Sequence, residues 1–146
     1  MEALLKLSQN IKNLTTGKIF LLTFSDPKLK SLVVKLNLDQ LRVGLTADNK
    51  TLPIYSQVSV DKFGKKPGNW TLHDTGATYD SFKVVSVTED AIIEFADLEI
   101  HGIDLQEKVQ SFGEIIGIDD ESTKILIQEA IPIMRDILLQ EMLKGI

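Results

Sequence analysis

The chain has 146 residues, 43% hydrophobic and 25% charged, with a net charge of −5 at pH 7 and no cysteine. This length fits one domain, 1–146, that can bury a core without disulfides or metal. The missing thiols exclude disulfide frameworks, Cys-based zinc and thiol catalysis, and the acidic balance speaks against binding nucleic acid by bulk charge.

Leu4, Leu7, Ile11 and Leu14 recur at helical spacing, which predicts a first helix ended by Gly17. Lys6, Gln9, Asn10 and Lys12 interrupt this segment, so no signal peptide is expected. Lys18 to Phe24 is a short apolar run that periodicity leaves open between strand and helix. It is too short for the roughly 20 apolar residues of a membrane span. Ser25-Asp26-Pro27 has the cap and proline of a helix start. Leu32, Val34, Leu36 and Leu38, however, recur at every second position. The combined expectation is a helical turn at Pro27, a strand over 32–36, and a second turn through Asp39 to Val43.

Residues 45–69, rich in Asp, Asn, Lys, Pro and Gly, read as a long loop with little regular structure. Loops of that length in a small domain usually carry function or move. Phe82 to Thr88 and Ala91 to Phe95 flank Glu89-Asp90, the best hairpin pattern in the chain. Leu105 to Ile115 predicts an amphipathic helix stopped by Gly117. Asp119, Asp120 and Ser122 offer caps for a last helix reaching Leu143, with Pro132 expected to kink it. That helix is apolar on more than one face, which suits either a central position or contact with a second subunit. The expected fold class is α+β: a small antiparallel sheet centred on the hairpin at about 82–95, with an N-terminal helix and a C-terminal helical segment over 105–144.

Motifs for chemistry are sparse. There is no phosphate-binding glycine loop and no Ser-His-Asp arrangement, so no cofactor is expected. His73-Asp74, and His101 with Asp104, match no zinc or iron spacing and read as surface groups. Trp70 and Phe63 near Lys65 and Lys66 suggest a single-strand-binding patch on paper, but one Trp beside a few lysines is more often a half-buried aromatic next to a solvated loop. Asp74-Thr75-Gly76 reads as a structural turn. Gly76 suits a positive φ, and Asp74 is placed to accept from the backbone two residues on, as in an Asx-turn.

The stretch from Asn37 to Val84 has a recognisable order. Asn37-Leu38-Asp39-Gln40-Leu41 leads to a polar turn at Asp48-Asn49-Lys50, then Tyr55-Ser56, then a Gly/Lys/Pro loop over 62–68. Leu72, Asp74-Thr75-Gly76 and Ser81-Phe82 follow, and Ser111-Phe112-Gly113-Glu114-Ile115-Ile116-Gly117 comes later. This order resembles the virion-morphogenesis and tail-completion proteins of tailed bacteriophages, most of all a branch associated with phages of Bacteroidetes. About half the chain is covered. Asn49 departs from the glycine usual in the polar turn, and Ala77 from an acidic residue. The resemblance implies a structural virion protein without catalytic residues or cofactor, assembled in the bacterial host cytoplasm. It would form a ring with copies of itself and contact other neck, connector or tail proteins, with no membrane or sequence-specific nucleic-acid partner. Lys62, Phe63, Lys65, Lys66 and Asn69 are the expected contact residues, and Asp74, Thr75 and Gly76 the turn that holds their loop on the sheet.

A rival reading comes from Asp74-Thr75-Gly76-Ala77, which matches the signature of retropepsin-like aspartic proteases. Such enzymes dimerise to pair two carboxylates that cannot both ionise, one acting as acid and one as base. Residues 77–101 contain no glycine for a flap, and Thr71 and His73 place polar groups where an apolar strand is required. A structural role for Asp74 is therefore expected.

Overall fold

The structure, a computed structural model, describes residues 1–146. The fold is α+β, with seven helices and two separate two-stranded antiparallel sheets. Helices α1 (Glu2–Lys12), α2 (Thr16–Phe24) and α3 (Pro27–Arg42) are followed by short helices α4 (Gln57–Phe63) and α5 (Ala77–Ser81). Strands β1 (Lys83–Val87) and β2 (Ile92–Phe95) form the first hairpin, and β3 (Glu99–Ile100) and β4 (Ile103–Asp104) the second. The chain then runs through α6 (Leu105–Val109) to the long α7 (Asp120–Leu143).

The strand expected over 32–36 does not form; those residues lie within α3. Asp26 caps α3 by accepting from Lys28 N–H, and Pro27 sits in the first turn, where its missing donor costs nothing. Leu29, Val33, Leu36, Asn37, Gln40 and Leu41 are buried at i, i+4, i+7, i+8, i+11 and i+12, a helical stripe wide enough to imitate alternation. The undecided run from Lys18 is also helical, within α2. Gly17 does not end the first helix: α1 stops at Lys12, and Gly17 lies inside the first turn of α2, capped by Thr15.

Two further expectations need correction. Residues 45–69 are not without regular structure, because Ser56 caps α4 through Ser59 N–H and Gly64 closes it at φ 63°. The helix expected from Leu105 to Ile115 ends after Val109, and the rest is a non-helical strap containing Gly113 at φ 132°. The hairpin of β1 and β2 falls within the expected range. It carries a bulge between Val84 and Ser86 that leaves Val85 unpaired. The β3–β4 hairpin and α5 had no expectation behind them.

The buried residues form two clusters. Leu41, Leu52, Tyr79, Phe82, Ala96, Leu105, Val109 and Ile115 make one. Leu29, Val33, Leu36, Leu126 and Ala130 make the other, between α3 and α7 with Val84 and Ile92 of the hairpin against it. Helix α3 therefore serves both cores, its first turns in one and its last turn in the other. No helix is long and apolar enough to cross a membrane.

Candidate functional site

Two stretches singled out in the sequence, 37–50 and 111–117, meet in space. Asn37 and Gln40 are buried on α3, and both carboxamides bond the backbone of the strap over 113–119. Asn37 Nδ2 donates to Ile115 O (3.0 Å), and its Oδ1 accepts from Gly117 N–H (3.1 Å). Gln40 Nε2 donates to Gly117 O (2.6 Å), and its Oε1 accepts from Asp119 N–H (3.0 Å). From the other side Gln106 donates to Gly113 O and accepts from Ile115 N–H. Asp48 accepts from Glu114 N–H (3.0 Å) as well as from Thr46 and Lys50. These contacts hold the Asp48 carboxyl well below the usual carboxylate range. A strap without helix or strand thus has many of its backbone groups bonded by side chains, while Glu114 O accepts from Ala47 N–H, as buried backbone requires.

Downstream of this frame the chain builds a groove. One wall is α4 with the arm that follows it, and the other is the β3–β4 hairpin, turned by His101 (φ 51°) and Gly102 (φ 76°). Between them lies an apolar cleft of about 280 Å³ with Trp70, Leu72, Ile100 and Ile103 among its lining residues. It continues into a wider polar cleft of about 720 Å³ lined by Arg42, Lys65, Lys66 and Asn69. Tyr55, Phe63, Lys65, His73 and Asp74 line both.

The expected contact residues divide into two groups. Lys62, Phe63 and Lys66 are exposed, and Phe63 is 73% accessible. Lys65 and Asn69 face their own body. Lys65 Nζ donates to His73 O (3.2 Å) and Asp74 Oδ1 (3.1 Å) and lies 6.0 Å from the centre of the Tyr55 ring. Asn69 is half-buried and bridges Ile54, with Gly44 pressed so closely against it that no side chain fits there.

The Asx-turn expected at Asp74 is absent, because that carboxylate takes Lys65 instead. The bond two residues on comes one position later, where Thr75 Oγ1 accepts from Ala77 N–H (3.3 Å). Gly76 stands at φ 90° and caps α5, so the triplet leads into a helix before the hairpin begins. Asp74 and Lys65 thus tie the arm to the turn.

Sequence reasoning set Trp70 beside Phe63 and Lys65 but missed Leu72, Ile103 and Lys108 as their partners in one groove. Lys108 Nζ lies 5.4 Å from the centre of the Trp70 ring, and Arg42 5.7 Å above Tyr79. Only the cluster of aromatics and lysines around residue 65 hinted at such a place. No three His, Asp or Glu residues come together in a way that holds a metal ion. No family model, curated protein or solved structure matches the chain.

Proposed function

We propose that the chain is a non-enzymatic assembly subunit of a tailed-phage virion, joining head and tail or completing the tail as one member of a ring. The observation that carries this reading is a pair of unlike apolar surfaces, each about half open to solvent. On α7, Ile127, Ile131 and Leu139 are each at least half exposed. On the outer face of the first hairpin, Val85 (51%), Ile93 (42%) and Phe95 (47%) are open to solvent. Exposed apolar side chains grouped on one face mark protein contacts. Two different surfaces on one chain suit a head-to-tail contact, which closes into a ring when the rotation allows. The arm over 62–69, anchored at Lys65 and leaving Phe63 and Lys66 free, supplies a third contact. The residues that resemble the tail-completion proteins form the frame behind it.

The test replaces residues 63–68 with a Gly-Ser linker. The monomer is expected to stay folded, since the closure entropy of a loop changes slowly with its length. Rings seen by light scattering and electron microscopy should disappear, and so should rescue of a phage lacking the gene. Full rescue by the shortened protein removes the arm from assembly. Parent protein that stays monomeric at all concentrations, with no partner in particles, removes the ring.

A further inference from the structure

We propose that the groove between α4 and the β3–β4 hairpin binds an acidic peptide segment of a partner protein, with one bulky apolar side chain of that segment entering the apolar cleft that Leu72, Ile100 and Ile103 line beside Trp70. The proposal rests on the assembly reading above and names the chemistry of one contact within it.

Charge is the first argument. Taken together, the lining residues of the two clefts include four cations, Arg42, Lys65, Lys66 and Lys108, against the single carboxylate of Asp74. This stands on a chain whose net charge is −5. Arg42 also pairs with Asp39 (2.6 Å), and Lys65 with Asp74, so Lys66 and Lys108 are the cations without a carboxylate partner. Complementary potential between patches steers and orients encounter, which selects an acidic occupant.

Shape is the second argument. The apolar cleft lies just below the range of small-molecule pockets, about 300–1,000 Å³. It suits a single anchor side chain of the kind that dominates interface energetics. Leu72 lines it at φ 55°, in the left-handed region that side chains other than glycine rarely adopt. Backbone strain of this sort concentrates at ligand clamps.

Single-stranded nucleic acid, also attracted by positive charge, needs open aromatic faces on which bases stack. Here Lys108 sits over Trp70 and Lys65 over Tyr55, so cations already occupy the approach to both rings. The groove offers pockets for side chains and no stacking platform.

The test selects a displayed library of random twelve-residue peptides on the purified protein. Recovered peptides are then titrated against the intrinsic fluorescence of Trp70, the only tryptophan in the chain. The expected result is enrichment of peptides with several Asp or Glu around one Phe, Trp or Leu. Their binding should shift Trp70 emission and weaken with added salt. It should fall at least tenfold in a Lys66→Glu/Lys108→Glu variant that melts like the parent. Should that variant misfold, Lys66→Ser/Lys108→Ser serves, with a smaller loss expected. Enrichment of neutral or basic peptides overturns the proposal, as does no enrichment, or equal binding to both variants. Tighter binding of oligothymidylate than of any peptide also overturns it, in favour of nucleic acid. Loss of self-association in the charge-reversed variant without peptide enrichment overturns it in favour of a second copy. A failed selection alongside arm-dependent ring formation sinks this inference alone; a successful one alongside particles that ignore the arm sinks the ring reading alone.

Discussion

Gln40 and Asp119 are joined end to end: the Gln40 carboxamide accepts from Asp119 N–H, while the Asp119 carboxylate caps α7 by accepting from Ser122 N–H (2.7 Å). One buried side chain on α3 thereby sets where the longest helix begins. Replacing Gln40 with Ala leaves Gly117 O and Asp119 N–H without partners. Each buried unsatisfied group costs about 1–3 kcal/mol, so a total loss of about 2–6 kcal/mol is expected in denaturant unfolding. Gln40→Glu sharpens the test. An ionised carboxylate accepts from Asp119 but faces Gly117 O without a proton, whereas a protonated one restores the donor. This variant should recover, relative to the parent, as pH falls from 7 to 4.

Glu94 predicts a pH dependence of its own. Burial raises its carboxyl to about 7, and Oε1 has no hydrogen-bond partner. A carboxyl whose folded value lies above the unfolded value of about 4.3 binds more protons when folded. Its contribution to stability is therefore greatest in acid and is lost as pH rises from about 4.3 towards 7. Glu94→Gln should leave melting nearly unchanged at pH 4.5 and raise it at pH 8. The gain is about 1–2 kcal/mol after allowance for partial exposure. Equal melting of parent and variant at pH 8 would show that the carboxylate finds solvent or a partner.

Gly76 separates backbone strain from crowding. A side chain at φ 90° is strained, yet the nearest atom to an added Cβ is His73 Nε2 at 3.5 Å, an ordinary contact. Gly76→Val should cost about 1–3 kcal/mol, and Gly76→Asn distinctly less, since Asn tolerates the left-handed region. Equal losses in the two variants would point to crowding.

The character of Asp74 is decided by Asp74→Asn. Its contact with Lys65 is exposed, so removing the charge should change stability by less than about 1 kcal/mol. Ring formation should survive, because an Asn oxygen still accepts from Lys65. Cleavage of peptides at acid pH by the parent, abolished in this variant, would establish the protease reading instead.

How far the sequence discloses this fold depends on where the signal is local. The β1–β2 hairpin and the start of α7 are legible because turn and cap residues act within a few positions, as Glu89-Asp90 and Asp119 do. Helix α3 is obscured because Leu32, Val34 and Leu38 widen its buried stripe until it looks like alternation. The short α6 is overextended because Gly113 and the Gln106 clamp, rather than hydrophobic spacing, decide where the chain leaves the helix. In the candidate site, Lys65 and Phe63 stand out by their neighbours in sequence. Lys108 and Ile103 reach the groove only through the second hairpin and α6, and no nearby residue announces that.

Helix α3 also determines how the molecule comes apart. Its sixteen residues span about 24 Å as one rigid rod, with Leu29 and Val33 in one core and Leu41 in the other. Melting either core strips the packing from one end of that rod, and the strap held by Asn37 and Gln40 loses its footing in the same event. Slow-exchanging amides should therefore belong to a single cooperative unit spanning α3, the strap and the middle of α7. Helix α1, which buries no residue, should exchange well before that unit opens.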